Sequence, residues 1–133
     1  METVSNLIVQ TLCNTIDNLD LIHLFGSRAT GQAIAPSDWD IAFKAHAKLP
    51  PLQRWEAQEA LANALKREVD LIDLLDSSAV LQLQVIQSGQ LLFGETECED
   101  EFGMQVYSSY GDWQSRRKHI VQEFVAHTKL HGD

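Results

Sequence analysis

The sequence predicts an α/β (α+β) fold: a small mixed sheet flanked by helices, followed by a C-terminal helix. Three observations carry that prediction. Short apolar runs, LDLIHLF, DWDIAFKA and EVDLIDLLD, have the length and composition of strands. Longer segments between and around them place apolar residues at helical spacing. Strands that alternate with helices bury their apolar faces on a shared sheet.

Residues 4–18 carry Val4, Leu7, Ile8, Leu12 and Ile16 on one side, so the chain opens with an amphipathic helix. LDLIHLF (19–25) follows as a buried strand ending at Gly26. Residues 27–35 are expected to hold a short helix, stopped by Ala35-Pro36-Ser37, and DWDIAFKA alternates as a second strand. Pro50 and Pro51 suit the first turn of a helix bearing Leu52, Trp55, Leu61, Ala62 and Leu65. EVDLIDLLD (68–76) is a third strand, apolar on both faces as a covered strand is. Ser77 or Ser78 caps a helix that runs to Gly89, and QLLFG is a short strand or turn. The acidic run Glu95, Glu97, Glu99, Asp100 and Glu101 reads as a solvated loop able to steer a basic partner. A long helix is expected over 109–130, with Arg116, Arg117 and Lys118 as its basic cluster.

A chain of 133 residues is expected to form one domain, with its core over about 5–95 and a helical extension over about 97–133. The formal charge of −9 argues against a surface that grips a nucleic-acid backbone, which needs clustered Lys and Arg. No apolar run approaches the ~20 residues of a membrane span, and no basic-then-apolar signal segment opens the chain. Cys13 and Cys98 read as reduced thiols of a cytoplasmic protein. The five histidines show no metal-ligand spacing with either cysteine. His23 reads as a hydrogen-bonded core residue, Lys44 as structural or exposed, and Trp39, Trp55 and Trp113 as packing residues.

Asp38 and Asp40 are the conspicuous feature. Residues two apart in a strand share a face, so these carboxylates project together while Trp39 points into packing. Side by side they repel, and a divalent cation turns that repulsion into attraction; Mg²⁺ takes one or two carboxylates together with substrate phosphates. The third strand offers Asp70 and Asp73, which face opposite sides, so only one can join the pair. Gly26 lets a phosphate approach the backbone, the residues after it begin a helix whose N-terminus favours an anion, and Ser27 adds a hydroxyl. A phosphate cradle beside a carboxylate-bound metal is equipment for phosphoryl or nucleotidyl transfer.

Gly26-Ser27, ten residues, then Asp38-Trp39-Asp40 resembles the GS-x10-DxD signature of the nucleotidyltransferase superfamily that includes DNA polymerase β. The small size and the later VDLIDL strand resemble the minimal nucleotidyltransferase (MNT) antitoxins. The likeness covers most of residues 5–95 and is specific between 24 and 75.

The resemblance implies a nucleotidyltransferase fold and a site in which Asp38, Asp40 and a third carboxylate ligate Mg²⁺, with two ions expected. The family's hydrophobic-Asp-hydrophobic pattern assigns the third position to Asp70, in VDL, although Asp73 in IDL shares the pattern. Gly26 and Ser27 would hold the phosphates of ATP, the co-substrate, with Arg28 beside them. The implied activity is transfer of AMP to a tyrosine of a cognate HEPN ribonuclease toxin, blocking its RNA-cutting site. A homodimer or a hetero-oligomer with that toxin is the expected assembly. Two other readings use the same residues: an antitoxin acting by contact alone, and a nucleotidyltransferase of aminoglycoside-like small molecules.

Overall fold

The computed structural model describes residues 2–26 and 38–112. The expected short helix at 27–35 and the C-terminal segment from Trp113 onward lie outside the described residues.

Helix α1 (Glu2–Thr15) leads into strand β1 (Leu19–Phe25), and β2 (Trp39–Ala45) returns antiparallel to it. Helix α2 (Pro51–Leu65) crosses to β3 (Val69–Asp73), which pairs parallel to β2. A 3-10 turn, Leu74–Asp76, connects to α3 (Ala79–Ser88) and then to β4 (Gln90–Phe93), antiparallel to β1. The strand order is β3-β2-β1-β4, so the sheet is mixed, as expected. A further helix, α4, runs through residues 96–112.

Strand alternation divides the core in two. Ile22, Leu24, Ile41, Phe43, Val69 and Leu71 point to one side, where they meet Ile8 and Leu12 of α1, Ile16 just after it, and Ala57 and Leu61 of α2. Leu21, Phe25 and Ala42 point to the other side, where they meet Leu83 and Val85 of α3 and Phe102 and Val106 of α4. Helices cover both faces of the sheet, and on β3 they bury Val69, Leu71 and Asp73 while Asp70 stays exposed.

Sheet edges and helix ends are satisfied by side chains. Edge strand β3 exposes the Leu71 peptide outward, and α2 covers it: the Leu71 N–H donates to Gln58 Oε1 at 3.1 Å and its carbonyl accepts from Arg54 Nη1 at 2.9 Å. Turning Arg54 and Gln58 toward the sheet turns Leu52 and Trp55 away from it. Leu52 is 66% exposed and Trp55 51%, contrary to the packing role expected of Trp55. Trp39 is buried as expected. Ser78 caps α3, its Oγ accepting from the Leu81 N–H at 3.2 Å. Ser78→Ala is expected to cost about 1 kcal/mol, read as a melting temperature lower by roughly 3–5 °C.

The acidic run is not a loop. Residues 96–102 form the first turns of α4, which begins 13 residues before the expected helix start at 109. Cys98, Phe102, Val106 and Tyr110 recur every four residues and pack on the second core cluster. Carboxylates in a helix's first turn also interact favourably with its positive end. Charge density masked an ordinary amphipathic pattern.

Candidate active site

β2 presents Trp39, Ile41 and Phe43 to the first core cluster, so Asp40 emerges on the opposite face, with Asp38 two residues before it. The register places Asp40 opposite Phe25 of β1 on one side and beside Asp70 of β3 on the other. Asp70 is exposed and flanked by buried Val69 and Leu71, so it shares Asp40's face. Two strands that happen to be parallel neighbours thus bring together carboxylates separated by about thirty residues of sequence. Partial burial, followed by the nearby Asp70 and Asp38 carboxylates, holds the Asp40 carboxyl above the ordinary carboxylate value.

Asp73 is three residues further along and therefore faces the other way. It is only 3% exposed. Its Oδ2 accepts from the Leu49 N–H at 2.9 Å and its Oδ1 from the Leu75 N–H at 3.0 Å, so it ties the α2 approach and the 3-10 turn to β3. Both oxygens have structural partners. Of the two candidates, it is Asp70 that stands with Asp38 and Asp40.

Gly26 follows directly on β1 and lies against Asp40. Its φ is +74°, and a Cβ there would collide with Asp40 Oδ2. Glycine is required twice over, for the left-handed backbone and for the close approach. Gly26→Ala is expected to cost about 1–2 kcal/mol in backbone strain and to displace Asp40, lowering turnover by about 10²-fold. Thermal melts and steady-state rates on the purified variant check both. Ser27 and Arg28, the other expected phosphate contacts, lie outside the described residues.

His23 and Lys44 make their polar contacts away from the three carboxylates. His23 is fully buried on β1, its Nε2 2.9 Å from Glu99 Oε2 of α4, so it is the hydrogen-bonded core histidine expected; its Nδ1 has no partner among the described residues. Lys44 Nζ donates to Asp20 Oδ2 at 2.7 Å and lies 5.9 Å from the Phe102 ring centroid, at the far end of β2 from Asp40. In the sequence Glu99 is only one member of an acidic run, and the four-residue spacing that reveals α4 is the signal that picks it out.

Among the described residues, no group of three or more His, Cys, Asp or Glu side chains closes around a point as a metal cage does. Asp38 and Asp70 are exposed and Asp40 is half-buried. Such a donor set, all oxygen and rich in charge, fits a hard cation that arrives with phosphate oxygens and water completing its shell. No helix among the described residues is long and apolar enough to cross a membrane.

Comparison with known proteins places this geometry. Residues 7–98 match the polymerase beta nucleotidyltransferase family. The chain is 38% identical over 123 residues to protein adenylyltransferase MntA of Shewanella oneidensis strain MR-1, spanning 92% of this chain and 88% of that relative. A toxin-antitoxin crystal structure with AMP-PNP superposes with a TM-score of 0.84 at 37% identity, over 91% of this chain and 98% of the other. A structure of a tri-AMPylated HEPN toxin of Shewanella oneidensis in complex with MNT antitoxin superposes at 0.79, with 35% identity over 94% and 99% of the two chains.

Proposed function

The chain belongs to the polymerase beta nucleotidyltransferase family, and from that membership we propose that it is the antitoxin of a HEPN/MNT pair. It acts as an Mg²⁺-dependent protein adenylyltransferase that moves AMP from ATP to a tyrosine of its HEPN ribonuclease toxin. The observation that carries the chemistry is the register of Asp40 with Asp70, beside Asp38 and against the Gly26 backbone. The MntA relative and the AMPylated toxin in complex with MNT antitoxin support the toxin as acceptor, and the tyrosine comes from the resemblance to the MNT antitoxins.

Asp38, Asp40 and Asp70 would hold the metal, and Gly26, with Ser27 and Arg28 after it, would hold the triphosphate. The bound metal supplies positive charge at the phosphates and to the departing pyrophosphate. The chain's own work is positioning. Asp40 is fixed between β1 and β3, so the site's central carboxylate has little freedom to move. Gly26 leaves open the space a side chain would fill, letting phosphate approach the carboxylate face. The tyrosine oxygen attacks the α-phosphorus in line, an O–P bond forms, and the bond to the pyrophosphate oxygen breaks. Asp70, exposed on the same face, is placed to accept the hydroxyl proton. AMP on the toxin adds bulk and negative charge where RNA phosphates must bind. The reaction is read as cytoplasmic, where toxin, ATP and RNA coexist.

Incubation of the chain with α-labelled ATP, Mg²⁺ and the cognate toxin tests the proposal. Label on a toxin tyrosine is expected, and an unlabelled toxin sinks it. Label in a small-molecule product without toxin would instead favour the aminoglycoside-type reading. Neutralisation by Asp38→Asn/Asp40→Asn at physiological expression would favour contact alone.

A further inference from the structure

Residues 90–112, which form β4 and α4, contain Glu95, Glu97, Glu99, Asp100, Glu101 and Asp112 and no lysine or arginine. Glu99 is committed to His23. Glu97, Asp100 and Glu101 are exposed on α4, and the next turn continues the outward face with Met104 at 70% and Tyr107 at 50% exposure. Glu101, Met104, Gln105, Ser108 and Ser109 line a shallow groove there. The inward face of the same helix, Phe102, Gly103 and Val106, is buried. A helix that merely shields the core needs only this inward face. The outward one combines a large thioether and an aromatic ring, residue types enriched at interfaces, with the exposed carboxylates Glu97, Asp100 and Glu101 in the turns before them.

We infer that the outward face of α4 is the surface on which the toxin docks, and that its occupant is a basic protein surface. The inference rests on the proposed function. A ribonuclease holds RNA phosphates with Lys and Arg, so a protein that modifies its RNA-cutting site must meet a positive surface. The acidic half of α4 complements that charge and sets the encounter, and Met104 with Tyr107 supplies the apolar contact. The face also lies on the productive side of the sheet. Asp40 shares its strand face with Ala42 and Lys44, and Lys44 lies over Phe102 of α4. Among the described residues a second exposed apolar pair, Leu52 and Trp55, sits on α2 across the sheet, on a helix that also carries Arg54.

The test uses purified full-length chain, cognate toxin and α-labelled ATP, with folding of every variant confirmed by thermal melts. Glu97→Lys/Glu101→Lys is expected to raise KM for the toxin about ten-fold and to flatten its salt dependence, with kcat and KM for ATP unchanged. Met104→Ser/Tyr107→Ser is expected to raise the same KM without altering the salt dependence. Asp17→Lys/Glu56→Lys, the same charge change at exposed positions before β1 and on α2, should leave it unchanged. If wild type labels the toxin but both α4 variants retain wild-type KM, the docking face is wrong and the adenylyltransferase stands. The docking face is equally wrong if Leu52→Ser/Trp55→Ser is the pair that raises KM. A wild-type chain that sediments alone as a dimer, and becomes monomeric on Met104→Ser/Tyr107→Ser, makes the face a self-contact and overturns the inference. A wild type that labels no toxin overturns the function first, and the docking face with it.

Discussion

Asp40→Asn is expected to cut AMP transfer sharply and, in metal-free protein at neutral pH, to raise the melting temperature. Both effects have one cause. Burial and the neighbouring Asp70 and Asp38 carboxylates make the ionised form of Asp40 costly in the folded chain. That same concentration of negative charge is what a phosphate-bound cation needs. With Asp40 as a metal ligand, as proposed, removing its charge should lower transfer by at least about 10³-fold, equivalent to several kcal/mol in the transition state. The stability gain has a defined pH dependence. Because the folded-state pKa of Asp40 is raised, the native protein binds the proton more readily than the unfolded chain does. Wild-type stability therefore falls as pH rises from the ordinary carboxylate value through the raised one. The asparagine variant carries no such penalty, so its advantage is absent below that window and complete above it. Melts in EDTA across pH 3.5–8 measure the difference; an asparagine variant that is less stable at pH 8 would contradict the electrostatic account.

Asp70→Asn and Asp73→Asn separate chemistry from architecture. Asp70 is exposed beside Asp40, and no backbone group depends on it among the hydrogen bonds found for the described residues. Its amide variant should keep the wild-type melting temperature or slightly exceed it, while losing about 10²-fold or more in transfer. Asp73 is buried, and each carboxylate oxygen accepts from a backbone N–H. An amide in its place turns one acceptor into a donor facing a donor, leaving a buried N–H unsatisfied at a cost of about 2–3 kcal/mol. A drop of roughly 10 °C follows, with the residual transfer rate of the folded fraction close to wild type. Melting curves and label-transfer rates measured on both variants decide the assignment. The reverse pattern, a stable inactive Asp73 variant and an unstable active Asp70 variant, would exchange the two roles.

These residues also show what sequence alone could say. The positions of β1, β2 and α1 were legible because apolar periodicity is a local consequence of burial on one or two faces. The nearness of Asp38 to Asp40 was legible from their two-residue spacing, although β2 begins at Trp39 and Asp38 stands just before the strand expected to contain it. The start of α4 was not, because five carboxylates obscured the four-residue recurrence of Cys98, Phe102 and Val106. Nor was the orientation of Trp55, whose helix is rotated by the need of an edge strand for Arg54 and Gln58.

Along the chain, the order of the four strands and the candidate site residues from Gly26 through Asp38 and Asp40 to the third strand could be read directly. Which aspartate of the third strand stands beside Asp40 could not. Parity says that Asp70 and Asp73 lie on opposite faces, but it cannot say which of those faces carries Asp40. That depends on the parallel register of β3 beside β2. The backbone hydrogen bonds of that ladder connect residues distant in the chain, and no local pattern encodes them.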